Sequence, residues 1–149
     1  EDDGGTANGG VDQVTQTAQI IIQPTNDIPA VSSFARQGAE NTPLAFIEAN
    51  FADSFTDIDG DALASVQIVS LPANGTLLLD GTAVALNQIV PIAQIGQLTF
   101  QPALHWFGVT QFDRNGSDGQ VFANQAATVT ITIENRYFNY LPFVTNAGG

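Results

Sequence analysis

The sequence predicts an all-β fold in which two sheets pack as a β-sandwich, and three observations carry this prediction. Short segments rich in Val, Ile, Thr and aromatic residues recur along the chain, and such segments favour strands. Turn-forming residues separate them. No stretch of about ten residues has a convincing helical periodicity. With 149 residues the chain is long enough for one domain with its own core.

The strand segments differ in how clear their patterns are. The clearest is Ala127–Asn135, where Val and Ile alternate with Thr, an arrangement typical of a half-buried strand. Asp80 and Gly81 stand between two short apolar runs and predict a two-residue hairpin. The segments predicted as strands are, in order, Val14–Gln23, Pro43–Phe51, Ala64–Pro72, the two arms of Asn74–Val84, Ile95–Pro102 (with Leu98 and Phe100 on one face), Ala127–Asn135 and Tyr137–Val144.

The first of these strands is surplus to the domain that follows it. The stretch "AQIIIQPTND" resembles "VTITIENRYF" when Ile22 is aligned with Ile133, 111 residues later, a separation close to the size of one sandwich module. Because the domain already has that closing strand, Val14–Gln23 would leave apolar side chains and backbone groups unpaired. The predicted interaction residues of this strand are Val14, Ala18, Ile20, Ile21 and Ile22.

The chain is predicted to have four parts. Residues 1–13 form a Gly- and Asp-rich tail, and residues 14–29 form a donor-type strand and a linker. Residues 30–135 form the sandwich, and residues 136–149 form an aromatic extension.

The charge of the chain excludes several classes of function. It carries 15 acidic residues against three arginines and no lysine, for a net charge of −12. Nucleic acids and anionic membrane surfaces both need a basic surface, so neither is an expected partner. No apolar run is long enough for membrane insertion. An acidic chain of this kind either repels itself or recruits metal ions.

The stretch "DIDGD" is the strongest candidate metal site. It places Asp57, Asp59 and Asp61 at alternating positions, and Gly60 allows a tight turn. Calcium takes about six to eight oxygen ligands, which closely spaced carboxylates on a loop supply, and such carboxylates repel one another unless a cation or water screens them. These residues therefore fit a calcium ion. The alternative is a solvated acidic turn, and the stretch is not a complete EF-hand loop because the later bidentate Glu is missing.

Over about residues 17–135 the chain resembles a known family through a series of short motifs. Their order and spacing are similar to those of the cadherin-like tandem repeats of large bacterial surface adhesins. The resemblance implies a cadherin/immunoglobulin-like Greek-key β-sandwich, here with an extra N-terminal β-strand arm. The motifs are "TNDIP" (25–29), "ENTPL" (40–44), "DIDGDAL" (57–63), "LPANGTLLLDGTAV" (71–84), "LTFQPA" (98–103), "FDRNGSDG" (112–119) and "ATVTITI" (127–133).

The resemblance makes calcium the predicted cofactor and also implies a wider set of ligands for it. In such modules a D-x-D loop holds calcium with help from an Asn-Asp linker and an upstream Glu. In this chain those residues are Asn26, Asp27 and Glu40. Asp118, in "SDG", is a weaker candidate.

The chain departs from the family pattern in two places. Arg114 and Gly116 stand where the family carries Tyr and Val, so we expect that strand to be weakened or bent. After Ile133 the family would continue into another linker, whereas here "ENRYFNYLPFVTNAGG" follows. We therefore expect the repeat array to stop at a genuine carboxyl terminus.

No pattern in the sequence favours catalysis, and the chain is not predicted to be an enzyme. The single histidine, His105, has no cysteine partner, and the nearest serine in sequence, Ser117, is 12 residues away. We interpret His105 as a turn residue beside core aromatic residues. A carboxylate pair spaced as in a glycosidase would arise by chance among 15 acids.

Two further pairs of residues have a structural and a functional interpretation. Trp106 and Phe107 are interpreted as caps on the sandwich core, and the alternative is a platform on which sugars stack. Asn74 and Asn115 begin glycosylation sequons, "NGT" and "NGS". The alternative is that both are simply turns.

The predicted function is that of a structural subunit of an extracellular surface fibre. Donation of Val14–Gln23 to a neighbouring copy would be β-augmentation, and head-to-tail donation builds open filaments. The predicted partner is therefore the chain itself, with other surface proteins or glycans as further candidates. Alternatively, the strand folds back on its own module or is a remnant of a preceding repeat. The rival functions are a calcium-stiffened adhesin repeat, acting as stalk or adhesive module, and a carbohydrate-binding module.

Overall fold

A computed structural model of the chain describes residues 17–20 and 22–136, and these residues form mainly short β-strands. Over residues 22–135 the helical elements are one short helix and one 3-10 helix. The elements are β1 (Ala30–Val31), β2 (Phe34–Ala39), β3 (Leu44–Ala45), α1 (Glu48–Ala52), β4 (Phe55–Thr56), β5 (Ser65–Ile68), β6 (Gly75–Leu79), β7 (Thr82–Ala83), β8 (Ile89–Pro91), the 3-10 helix (Ile92–Gln97), β9 (Leu98–Pro102), β10 (Gly108–Ser117) and β11 (Ala127–Glu134).

The strands form two main sheets and one small ribbon. The larger sheet has the order β2-β11-β10-β5-β8, and the smaller has the order β3-β9-β6-β7. All neighbouring strands are antiparallel except β2 and β11, which run parallel. A two-stranded ribbon of β1 and β4 completes the fold. The predicted all-β sandwich is confirmed.

One hydrophobic core lies between the two sheets. In β11 the Val and Ile side chains are buried while the alternating threonines are half-buried, as the sequence pattern predicts. Leu98 and Phe100 of β9 face the same core from the other sheet and are completely buried. Burial of each such side chain stabilises the fold by about 1.5–3 kcal/mol.

The predicted hairpin at Asp80 and Gly81 is confirmed. These two residues connect β6 and β7, and Leu79 pairs with Thr82 across the turn. Both have positive φ angles, 51° for Asp80 and 81° for Gly81. A two-residue turn of this hand matches the twist of the flanking strands, and Gly adopts it at little cost.

The prediction of a strand over Pro43–Phe51 is largely wrong. Only Leu44–Ala45 is a strand, and α1 begins at Glu48. The side chain of Asn50 accepts a hydrogen bond from the backbone N–H of Ile47 at 3.0 Å, which satisfies a free donor at the start of the helix. Phe51 is thereby turned fully into the core.

The expectation that the strand around Arg114 and Gly116 is weakened or bent is also wrong. β10 runs unbroken over ten residues and pairs with β11 on one side and β5 on the other. Gly116 is needed because a Cβ there would lie 2.9 Å from Val31 Cγ1. Arg114 is fully buried rather than disruptive.

The predicted N-terminal strand is not confirmed. Residues 17–20 and 22–29 carry no assigned strand. Ala18 is exposed, and Ile20 and Ile22 are 80% and 83% exposed. Val14 and Ile21 lie outside the described residues, as do the tail over 1–13 and the predicted strand over Tyr137–Val144.

Candidate metal centre

The ribbon of β1 and β4 brings two distant parts of the chain together. Ala30 pairs with Thr56 in an antiparallel register. The linker (residues 24–29) therefore enters beside the point where the loop of residues 57–61 leaves. We call this second segment the Asp57 loop.

The Asp57 loop is a tight turn that gathers three carboxylates. The N–H of Gly60 donates to the carbonyl oxygen of Asp57 at 3.1 Å, and Gly60 has a φ of 86°. The N–H of Asp59 donates to Oδ1 of Asp57 at 2.7 Å. One carboxylate oxygen from each of Asp57, Asp59 and Asp61 lies within 4.8 Å of the others. We call these three residues the carboxylate cluster.

One oxygen of the cluster has no protein partner. Oδ2 of Asp57 is buried and accepts no hydrogen bond from the described residues. A buried acceptor that is left unsatisfied costs about 1–3 kcal/mol, and more when it is charged. A cation held by the cluster would satisfy this oxygen. The residues therefore fit a metal ion because of this unsatisfied acceptor, and not only because they are acidic.

The linker is tied to this loop by a direct hydrogen bond. The N–H of Asp27 donates to Oδ2 of Asp59 at 2.6 Å. Asn26 is held from the other side, since its Nδ2 donates to Oδ2 of Asp118 at 2.8 Å and its Oδ1 accepts from Nε2 of Gln120 at 2.8 Å.

Asp118 organises a turn as well as the linker. Its Oδ1 accepts the N–H groups of Gln120 at 2.6 Å and Val121 at 2.8 Å. The pKa of Asp118 is lowered, chiefly because its carboxylate accepts the backbone N–H of Val121 and then the side chain of Asn26. Asp118 therefore stays ionised and holds Asn26 beside the carboxylate cluster.

A cleft of about 350 Å³ opens between the linker and the loop. Its side chains supply carboxylate, amide and hydroxyl oxygens, the hard donors that calcium prefers. The lining residues are Pro24, Thr25, Asn26, Asp59, Asp61 and Gln120. Sequence reasoning missed Thr25 and Gln120. The position of Gln120, two residues after Asp118, was the available signal for it.

Glu40 does not join this cluster. It follows the end of β2, whereas the linker enters near the beginning of that strand. Six strand residues span roughly 20 Å. Glu40 is buried, and its Oε1 accepts the N–H of Arg136 at 2.9 Å. The structure thus brings together the carboxylates of the three loop aspartates and places Asn26 and the backbone of Asp27 beside them. The carboxylates of Asp27 and Asp118 do not join the cluster, and Glu40 lies at the opposite end of the sheet.

The residues weighed for catalysis and sugar binding lie elsewhere. His105 is an exposed turn residue with a φ of 62°, and its N–H donates to Oδ1 of Asn41 at 2.8 Å. Trp106 is partly buried and packs against the core, in agreement with a capping role. For Phe107 the capping interpretation is wrong, because its side chain is 51% exposed.

The two sequons differ in their environment. Asn74 is exposed in a turn with a φ of 62°. Asn115 lies within β10, and its Nδ2 donates to the carbonyl oxygen of Ala123 at 2.8 Å. Of the two sequon asparagines, Asn74 is the one whose side-chain nitrogen makes no hydrogen bond within the part of the chain that the structure describes.

A family model described as the cadherin-like domain matches residues 25–134 of the chain. The matched range begins in the linker, contains the carboxylate cluster and ends at the last residue of β11. No curated protein matches the chain. Within the described residues, no helix is long and apolar enough to cross a membrane.

Proposed function

The chain belongs to the cadherin-like domain family, and from that premise we propose that it is a calcium-stiffened structural module of an extracellular surface. Cadherin-like domains are usually extracellular adhesion or structural modules, are typically non-enzymatic and commonly bind calcium. In this module calcium would fix the N-terminal linker against the sandwich.

The observation that carries this proposal is the buried, unpaired Oδ2 of Asp57. It lies in the carboxylate cluster, beside Asp59 and Asp61. A buried carboxylate oxygen without a donor is rare in native proteins unless a water or an ion satisfies it. The other available ligand atoms are also oxygens, which favours calcium over transition metals.

The stiffening follows from the hydrogen bond that joins the linker to the loop. Asp57, Asp59 and Asp61 belong to the loop, whereas Asn26 and Asp27 belong to the linker. When bound, a calcium ion supplies positive charge that cancels the repulsion within the cluster. The Asp59 carboxylate can then keep its hydrogen bond to the N–H of Asp27, so the direction in which the linker leaves the domain is held.

Calorimetry with calcium chloride tests the proposal. Extracellular calcium modules bind with Kd values on the order of 10⁻⁴–10⁻³ M. At ten times Kd the bound ion adds about 1.4 kcal/mol of stability, which raises the Tm by several degrees. Asp57→Asn should abolish both the binding heat and the Tm rise.

The matched control is Asp80→Asn, because Asp80 is an exposed acid in the hairpin turn. This variant should bind calcium as the unaltered chain does. If the unaltered chain gives no binding heat, or if Asp57→Asn binds with an unchanged Kd, the calcium proposal fails.

A second candidate function is strand donation to another copy. The observation in its favour is the exposure of Ile20 and Ile22, at 80% and 83%, in a segment with no assigned strand. Pairing with the sheet edge of a neighbouring copy would bury these side chains, and repetition would build a fibre.

The partial burial of Trp106 against the core gives the carbohydrate-binding alternative less support.

Truncation separates strand donation from a monomeric stalk. Deletion of residues 1–23 should leave a folded monomer by size-exclusion chromatography. Deletion of residues 1–13 alone keeps the predicted strand and should leave polymers visible by electron microscopy. Polymers that survive the longer deletion, or their absence from the full chain, would refute strand donation and leave the calcium-stiffened module.

A further inference from the structure

Arg114 is a cation placed in the core of the sandwich. Its side chain has no exposed surface and is the largest of the fully buried side chains. Burial lowers its pKa to about 10, so the guanidinium remains charged at neutral pH. The hydrogen bonds that it makes are to neutral oxygens.

These hydrogen bonds go to the two residues that border the strands of the β1–β4 ribbon. Nη2 of Arg114 donates to the carbonyl oxygen of Ser32 at 2.9 Å and to that of Ser54 at 3.3 Å, and also to Oγ of Ser54. Ser32 follows β1 directly, and Ser54 directly precedes β4. One side chain therefore joins the two strands to β10.

Two aromatic rings hold the guanidinium in this position. Its central carbon lies 5.6 Å from the ring centroids of both Phe34 and Phe51. Such contacts are attractive because the ring faces carry negative charge density. The direction of Nη2 toward the ribbon is thus set by packing from β2 and α1.

The ribbon is short, and Arg114 adds to the support that it receives from the core packing of Val31 and Phe55. It has two residue pairs, Ala30 with Thr56 and Val31 with Phe55, and isolated two-stranded pairs are marginal in water even when longer. Yet the ribbon places the metal centre, because Asp57 follows β4 directly and Asp27 stands three residues before β1.

A role in packing alone does not account for an arginine here. Nε and Nη1 of Arg114 are buried without a hydrogen-bond partner in the described residues. Buried charges often cost more in desolvation than they return, and an apolar side chain of similar volume is frequently neutral or stabilising. The two ribbon carbonyls are what a guanidinium reaches and an apolar side chain does not.

We propose that Arg114 is a positioning residue for the metal centre, which holds the β1–β4 ribbon so that the linker and the Asp57 loop converge. That Arg114 serves a metal centre rests on the proposed calcium function. That Arg114 makes the linker and the loop converge does not depend on calcium, because the hydrogen bond from the N–H of Asp27 to Asp59 reports the convergence without metal.

The test compares Arg114→Met with Arg36→Met. Arg36 is a half-buried arginine that lies over Phe46 and forms a hydrogen bond with Asn50. Neither of these two contacts is with the ribbon strands, so Arg36 is a matched control. Two quantities are measured: hydrogen exchange of the Asp27 amide in the metal-free protein, and the calcium Kd. Arg114→Met should fold, lose the protection of the Asp27 amide and bind calcium about 10–100-fold more weakly, the usual effect of removing an outer-shell partner. Arg36→Met should change neither quantity.

The outcomes separate the two proposals. If Arg114→Met is folded and keeps the Asp27 protection, the positioning role is refuted, whatever calcium does. If the protection is lost but the unaltered chain binds no calcium, the positioning role stands and the proposed function falls. Should Arg114→Met fail to fold, Arg114→Lys serves instead, since a lysine keeps the charge but lacks the planar guanidinium that packs against Phe34 and Phe51. It should show partial loss of the same protection, and full protection would overturn the proposal.

Discussion

The backbone N–H of Asp27 lies 2.6 Å from Oδ2 of Asp59, a residue 32 positions further along the chain. This single contact joins the linker to the Asp57 loop. It makes the direction of the linker depend on the carboxylate cluster, because any change in the charge or position of Asp59 reaches the linker backbone directly. Hydrogen bonds to an ionised acceptor are stronger than neutral ones.

Asp61→Asn should have opposite effects with and without calcium. In a chelator the variant should be as stable as the unaltered chain or more so, because one of three mutually repelling carboxylates is neutralised. With calcium it should have the lower Tm, because a ligand is lost. Thermal unfolding in both buffers checks the crossover, and a variant that is less stable in both buffers would contradict it.

Gly116→Ala should destabilise the fold by about 1–3 kcal/mol, the usual cost of overpacking a core. A Cβ at this position would lie 2.9 Å from Val31, 3.1 Å from Leu63 and 3.2 Å from Phe55. Val31 and Phe55 belong to the ribbon, so calcium binding should weaken as well. Urea unfolding and calorimetry measure the two effects.

Gly96→Ala is the matched control for that substitution. A Cβ at Gly96 would meet nothing within 4 Å, so its stability should stay within about 0.5 kcal/mol of the unaltered chain. Equal losses for the two glycine variants would show that Gly116 has no special packing role.

Acid should release the linker through Asp118. The pKa of Asp118 is lowered from its ordinary value of 3.8, first by the N–H of Val121 and next by the side chain of Asn26. A carboxyl group with a lower pKa in the folded state stabilises the fold when ionised. Its contribution is therefore complete above the unfolded pKa and is lost as the pH falls through the folded one.

The side-chain amide signal of Asn26 should follow this titration in NMR spectra, with a midpoint below pH 3.8. Asp118→Asn should lose less stability between neutral and acidic pH than the unaltered chain, whereas Asp80→Asn should behave as the unaltered chain does. A midpoint at or above the ordinary value would disprove the assigned role of Asp118.

Expression in a host that glycosylates sequons should modify Asn74 and leave Asn115 unmodified. Asn74 is exposed in a turn, whereas Nδ2 of Asn115 is occupied by its bond to the carbonyl of Ala123. Mass spectrometry of glycopeptides distinguishes the two sites, with Asn74→Gln as the control that removes the modification. A glycan at Asn115 of folded protein would be the contrary result.

Local patterns were sufficient for some elements of this fold. β11 was predictable because its side chains alternate between core and surface with the two-residue period of a strand. The hairpin was predictable because Asp80 and Gly81 adopt positive φ angles that few other pairs tolerate. The carboxylate cluster was predictable because its three aspartates lie within five residues around one glycine turn.

Other features depend on which segments meet, and no short stretch of sequence contains that information. A helix that is stabilised at its start by Asn50 forms where the apolar residues predicted a strand. The reason is that a helical turn at this position buries Phe51 in the core. Glu40 lies far from the loop because β2 runs parallel to β11 and carries it to the other end of the sheet. From the sequence, Arg114 predicted a weakened strand. Its burial depends on contacts with distant residues, namely Ser32, Phe34, Phe51 and Ser54.

Backbone turns and side-chain alternation are short-range effects that a linear sequence records. The pairing of β1 with β4 and the burial of the Arg114 charge beside them arise only when segments distant in the chain pack together.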